Sequence, residues 1–159
     1  MKDFVTQKLD ELKIPYELEE HEPVFTVAES LEHLGGRMPV KNLLLKEEKG
    51  DRLLFVIMKG DERLDTKALA AQTGTKKLQF AKPEVLKEVL GVEPGSASLF
   101  CLFLPSSKGV EVLIDPRLLR AQEVGFHPMN NIQTIYIKGD DVQAIMNHTS
   151  HMLSILEKA

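Results

Sequence analysis

Apolar and polar residues alternate in several distinct registers along the chain, and each register predicts an element. In residues 3–13 the apolar positions Phe4, Val5, Leu9 and Leu12 recur at helical spacing, so a first helix is expected from about Asp3 to Lys13. Pro15 ends it, and the following YELEEH reads as a strand. A second helix is expected to open at Thr26. Glu29 completes a capping box, Val27, Leu31 and Leu34 form the buried face, and Gly35-Gly36 stop it. VKNLLLKEEKGDRLLFVIM is two apolar strands joined by a tight turn at KGD. In LDTKALAAQTG, Asp65 is the expected N-cap, Leu64 and Leu69 are placed to form a hydrophobic staple, and Gly74 follows the end. KLQFA predicts a short strand. PEVLKEVLG predicts a helix with proline in its first turn and glycine just after it.

The second half reads less cleanly. LFCLFL and VEVLI, separated by PSSKG, are expected to form a second hairpin, and DPRLLRA a short helix. GFHPMNN, residues 125–131, is expected to be neither regular helix nor strand. The residue before a proline is pushed toward extended geometry, and asparagine favours turns. IQTIYI is a last strand. A closing helix is expected from about Asp140, with Val142, Ile145, Met146, Thr149, Leu153 and Leu156 on its buried face. Six or seven strands with five helices, hairpins included, predict one mixed-sheet α+β or α/β domain over residues 1–159, with no repeat or linker.

Composition narrows the classes. The 159 residues are 43% hydrophobic and 28% charged, as in ordinary globular proteins. The single Cys101 excludes an internal disulfide and points to a reducing, cytoplasmic setting. No apolar stretch approaches the length of a membrane span, so no membrane partner is expected. The start, MKDFVTQKLDELKIP, has neither the apolar core of a signal peptide nor the arginines of a transit peptide. A net charge of −4 argues against a broad surface for many phosphates, while leaving room for a local grip on one or two.

Several groups could carry chemistry. Alternation along VKNLLL sends Lys41 and Asn42 to opposite faces of the sheet, Lys41 with Leu43 and Leu45, Asn42 with Leu44. In a sheet covered by helices one of them must point into a cleft, although a solvated strand entrance suits the same pair. His127 fits a site or a ring bonded to a turn carbonyl, and Asn130 and Asn131 are turn formers first. The loop GVEPGSAS offers free amides that could cradle a phosphate or ribose, yet it matches neither a P-loop nor a dinucleotide fingerprint. Ser96 and Ser98 do not form a nucleophile elbow. His148 and His151 lie three apart without further metal ligands nearby, so they read as solvated, and neither a metal nor a cofactor is expected. Cys101 reads as an inert core residue.

Four separated stretches together, EHEPVFTVAES, VKNLLLKEEKGDRLLFVIMKGDERLDTKALA, GVEPGSASLF and GFHPMNNIQT, resemble the YbaK/ProX aminoacyl-tRNA editing domains in order and spacing over nearly the whole chain. The Lys-Asn pair and the His-Pro turn look more like the freestanding ProX type, which clears alanine wrongly attached to proline tRNA, than the cysteinyl-clearing YbaK branch. The resemblance implies a mixed sheet or barrel-like core surrounded by helices. It implies that Lys41 holds a phosphate near the terminal adenosine, that Asn42 helps orient the substrate, and that His127 lies against the aminoacyl moiety. It further implies that Gly95, Ser96, Ala97 and Ser98 pack on the adenosine and its ribose. The family's loop has a proline where this chain has Leu99, which bears on the loop's rigidity.

The implied reaction is hydrolysis of an activated ester by an oriented water, helped by the substrate's own ribose hydroxyl. No serine or cysteine nucleophile is present for it. The implied partners are the acceptor end of a mischarged proline tRNA and, among proteins, prolyl-tRNA synthetase or an elongation factor. Two other readings stay open here: a non-catalytic tRNA- or synthetase-binding module, and a deacylase for Cys-, Ser- or Thr-charged tRNA. The sequence leaves the oligomeric state open.

Overall fold

The computed structural model describes residues 2–22 and 38–157. The helix expected from Thr26 therefore lies outside the described residues. Helix α1, Lys2–Glu11, buries Val5 and Leu9 completely. It ends in a Schellman turn: Lys13 adopts φ 58°, and the Ile14 amide reaches back to the Leu9 carbonyl at 2.9 Å. Strand β1, Glu17–Glu20, follows.

The described strands divide into two sheets. The larger is built on the hairpin β2, Val40–Glu47, and β3, Leu53–Lys59, paired with Lys41 opposite Met58 and Asn42 opposite Ile57. Strand β4, Leu78–Phe80, adds antiparallel to β2. On the far side β5, Glu111–Ile114, runs parallel to β3, and β8, Leu153–Ile155, runs parallel to β5. The smaller sheet is antiparallel, with β7, Gln133–Ile137, between β1 and β6, Val124–Phe126.

Between the sheet elements lie the other helices. α2, Thr66–Thr73, starts where the Asp65 carboxylate accepts the Ala68 amide at 3.0 Å, with Leu64 and Leu69 both buried, and Gly74 closes it at φ 73°. α3, Pro83–Leu90, has proline in its first turn and ends at Gly91. The short α4, Pro116–Leu119, is capped by Asp115. α5 spans Gly139–Thr149.

The two faces of the large sheet pack into different cores. Leu44, Phe55 and Ile57 join Phe126, Ile135 and Ile137 of the small sheet and Val142 and Ile145 of α5. Leu45, Leu54, Val56 and Met58 pack instead against Leu69 and Ala70 of α2 and against Leu156. The Arg52 guanidinium ties these parts together, donating to both Glu111 carboxylate oxygens at 2.8 and 2.7 Å and to the Thr73 carbonyl at 2.7 Å. Among the described residues no helix is long and apolar enough to cross a membrane.

Three expectations are corrected. LFCLFL is no strand: Leu99–Phe103 is a 3-10 helix capped by the Ser98 hydroxyl, with a second 3-10 turn at Pro105–Ser107. A short apolar run signals burial without distinguishing a strand from a buried turn. The second hairpin is also impossible for β5, because both its edges are taken by β3 and β8. The closing helix stops early. Ser150 adopts φ 60° and its amide bonds the Met146 carbonyl, so Leu153 and Leu156 leave the helix for β8 and its end. Lastly, Gly125 and Phe126 of the GFHPMNN segment are strand, and only from His127 does the chain turn.

Candidate functional site

Cross-strand partners in an antiparallel pair lie on one face, so the register fixes where the Lys41-Asn42 pair points. Asn42, opposite Ile57 and in line with Leu44, leaves β2 on the face shared with the small sheet. Lys41, opposite Met58, leaves on the other face. Both are half-buried. The Asn42 Oδ1 is shielded from solvent and has no hydrogen-bond partner among the described residues. An unpaired buried acceptor costs about 1–3 kcal/mol. Strands β2 and β6, the latter delivering His127, approach within 8 Å between Cα atoms.

His127 follows directly from β6. Its Nδ1 lies 3.0 Å from the Gln133 carbonyl, which can only accept, so Nδ1 carries the hydrogen and Nε2 of the neutral ring keeps its lone pair. Burial lowers the pKa of this imidazole. The Gln133 carbonyl opposes the shift, and a second imidazole, His21, adds to it. The two rings have centroids 6.1 Å apart. By the same logic His21 Nδ1 donates to the Glu22 carbonyl at 2.7 Å, and its Nε2 accepts from the Thr134 hydroxyl at 2.8 Å. The His21 amide also bonds the Ile132 carbonyl, at 2.9 Å.

The turn that holds His127 is fixed by its own polar groups. Asn130 Oδ1 accepts the Ile132 amide at 3.0 Å, and Asn130 Nδ2 donates to Gln133 Oε1 at 2.9 Å. Met129 is buried at φ 67°. Gly125 is required by a close approach: a Cβ there would lie 2.6 Å from the Tyr136 ring and 2.8 Å from the Thr134 methyl.

The loop Gly91–Ser98 lies alongside. Pro94 and Gly95, with φ 90° at the glycine and the Ser96 amide bonded to the Glu93 carbonyl at 3.1 Å, form a type II turn open to solvent. Ser96 and Ala97 are half-exposed. Ser98 is fully buried, and its hydroxyl accepts the Phe100 amide at 3.2 Å. Leu99 is fully buried as well, so the cap and the core fix the exit of the loop. The start of the loop meets the His127 turn, and the segments just beyond the loop and just before the turn also pack together. A Cβ on Gly91 would sit 3.8 Å from Met129 Cε, and the Phe100 and Phe126 rings pack edge to face at 5.8 Å.

The fold thus sends Asn42 to the face that β2 shares with the small sheet and Lys41 to the opposite face, while the Gly91–Ser98 loop reaches the His127 turn through Gly91 and Met129. His21, Thr134 and Gln133 were given no role from sequence. His21 does lie in the EHEPVFTVAES motif, two residues before a proline, and that was its one signal.

Elsewhere, His148 packs edge-on against Phe103 at 6.2 Å. His151 lies beyond the helix and is half-buried, not solvated, with Nε2 bonded to Ser107. Among the described residues no group of three or more His, Cys, Asp or Glu could hold a metal ion. Burial pushes the Cys101 thiol up to about 11.

The aminoacyl-tRNA editing domain model matches residues 21–145, and the chain belongs to that family. The prolyl-tRNA editing protein ProX of Acetoanaerobium sticklandii is 33% identical over 160 residues, covering 98% of this chain and 96% of that protein. The prolyl-tRNA synthetase associated domain-containing protein 1 of Bos taurus is 33% identical over 152 residues, covering 91% and 88%. The crystal structure of a hypothetical protein superposes with a TM-score of 0.76 at 19% identity, covering 96% of this chain and 97% of that one, which shows the shared fold.

Proposed function

We propose that this chain is a trans-editing deacylase that hydrolyses Ala-tRNA(Pro) in the cytoplasm, gripping the acceptor end of the tRNA. The observation that carries the reading is the His127 imidazole, held neutral with Nδ1 bonded to Gln133 and Nε2 left as an acceptor, on a turn that meets the Gly91–Ser98 loop at Met129. ProX supplies the prolyl-tRNA context through its likeness along both chains.

In this reading a water oxygen adds to the ester carbonyl carbon, and the bond from that carbon to the ribose 3′ oxygen breaks. The 3′ oxygen takes a proton, and free alanine leaves. His127 Nε2 accepts a hydrogen bond from the water or from the ribose 2′-hydroxyl, lining up the attack. Asn42 Oδ1 accepts from the substrate ammonium or a hydroxyl. The Gly95 and Ala97 amides, which donate to no backbone carbonyl among the described residues, face the ribose and the developing oxyanion. Lys41, leaving the same strand end on the other face, meets a phosphate outside the ester pocket. Its role there is electrostatic.

Selectivity follows from size. A synthetase pocket built for proline loses only about 1–3 kcal/mol with the smaller alanine, so a second pocket that clashes with proline is needed. The test is a deacylation panel of Ala-, Cys-, Ser- and Pro-charged proline tRNA at substoichiometric protein. Hydrolysis of the alanyl ester with the prolyl ester spared supports the proposal. Preference for the cysteinyl or seryl ester reassigns the substrate. Binding without turnover on all four makes the chain a recognition module.

A further inference from the structure

A second concavity lies away from this site, between α1, the two 3-10 turns, and the chain leaving α5. It encloses about 530 Å³, within the usual range for small-molecule sites. Its existence follows from the unexpected conformation of LFCLFL. The 3-10 turn carries Leu102, Phe103 and Leu104 into an apolar floor, where a strand would have sent alternate residues elsewhere. Met152, just before β8, lines the same cleft with 69% of its surface exposed. An apolar side chain kept that open at a concave edge is a surface to be covered.

The rim has the opposite character from the molecule as a whole. The chain carries a net charge of −4, yet Lys8, Lys108, His148 and His151 all line this cleft. Glu111 is the acid among the lining residues, and Arg52 already holds it through both carboxylate oxygens. Lys8 makes a 3.9 Å pair with Glu11, which is long and exposed and therefore weak. Lys108 is exposed and makes no ion pair among the described residues. The wall also holds an unsatisfied acceptor. His151 Nε2 donates to the Ser107 carbonyl at 3.0 Å, which leaves Nδ1 as a buried lone pair with no partner among the described residues. The C-terminal end of α5 disfavours an anion, which leaves Lys8 and Lys108 as the lining cations for a negative head.

We infer that this cleft binds a small amphipathic anion, with an apolar or aromatic body on Phe103 and Met152 and a carboxylate or sulfonate head at Lys108 and Lys8. The inference is independent of the editing site.

The probe is 8-anilinonaphthalene-1-sulfonate, an aromatic body with one anionic head. Its emission is read without tryptophan interference, because the chain has none. Titration of the folded full-length protein is expected to show one saturable site. Lys108→Glu and Met152→Asp, both at exposed positions, are each expected to weaken it at least ten-fold with the circular dichroism unchanged. Lys49→Glu at the β2–β3 hairpin tip, with the same charge change, should leave binding intact. Amide shifts should move in residues 103–110 and 148–152. Equal affinity across the three variants, non-saturating uptake, or shifts confined to residues 91–98 and 127–133 would each overturn the assignment. So would absence of binding at millimolar probe.

Discussion

Replacing Asn42 by leucine separates the demands of folding from those of the reaction at one atom. The amide oxygen is shielded, unpartnered, and surrounded on its face by Leu44 and Ile57. Leucine keeps the branching of asparagine, exchanges the orphan acceptor and the amide nitrogen beside it for methyl groups, and suits an apolar row in a strand. Removing an unsatisfied buried acceptor recovers about 1–3 kcal/mol. For a chain of this size that is roughly 2–4 °C of Tm per kcal/mol. Asn42→Leu should therefore unfold at higher temperature and at higher urea concentration, with an unchanged m-value. The same variant loses the acceptor offered to the substrate. A hydrogen bond to a charged donor is worth about 1.5–3 kcal/mol, so kcat/KM for Ala-tRNA(Pro) should fall roughly 10- to 150-fold. Calorimetry and single-turnover deacylation on one preparation test both limbs. If the variant is less stable than wild type by 1 kcal/mol or more, the oxygen is satisfied in the native fold and the reasoning fails. If it is more stable but fully active, Asn42 serves no substrate.

Because His127 is held below its ordinary pKa, the unfolded chain binds its proton first as the pH drops. The corresponding stability is fully present above about pH 6.5 and is lost as pH falls toward the folded value. Urea titrations at pH 7.5 and 5.5 should show that loss, and His127→Gln should reduce it. The acid limb of the kcat/KM profile should lie below pH 6.5. Gly125→Ala drives a methyl into the Tyr136 ring and the Thr134 methyl, so it should cost about 1–3 kcal/mol by denaturant titration and lower activity by displacing the residue two positions on. Asp65→Ala removes the cap bond to Ala68 and should cost about 0.5–2 kcal/mol by the same measurement, with deacylation at saturating substrate unchanged.

Local chemistry was readable wherever one residue decides a conformation. Asp65, Gly74, Pro83 and Gly91 each mark a helix end with a specific bond or dihedral, and those ends fall where the sequence puts them. Alternation likewise separated Lys41 from Asn42 correctly, because β2 has one face in each core. What the pattern could not supply is partnership. LFCLFL is buried throughout, and burial alone does not choose between ladder and turn. Leu153 and Leu156 keep helical spacing from Met146, yet the open edge of β5 recruits them as a strand once Ser150 breaks the helix. The neighbourhood of His127 was half legible. The turn chemistry of Asn130 is local, while the approach of His21 depends on β1 pairing with β7, more than a hundred residues away in sequence.

Strand β5 sits in the large sheet with parallel neighbours on both sides, and one of them is contributed by residues 153–155. A nascent chain paused before that point has Val112, Leu113 and Ile114 already laid against β3, with a bare row of amides and carbonyls on the outer side. The final few residues therefore act as a lock on the sheet's sticky margin. Clipping the tail after Ser150 should leave a molecule that associates with itself long before it loses its fold, visible as growth in light scattering at temperatures where the intact chain stays clear.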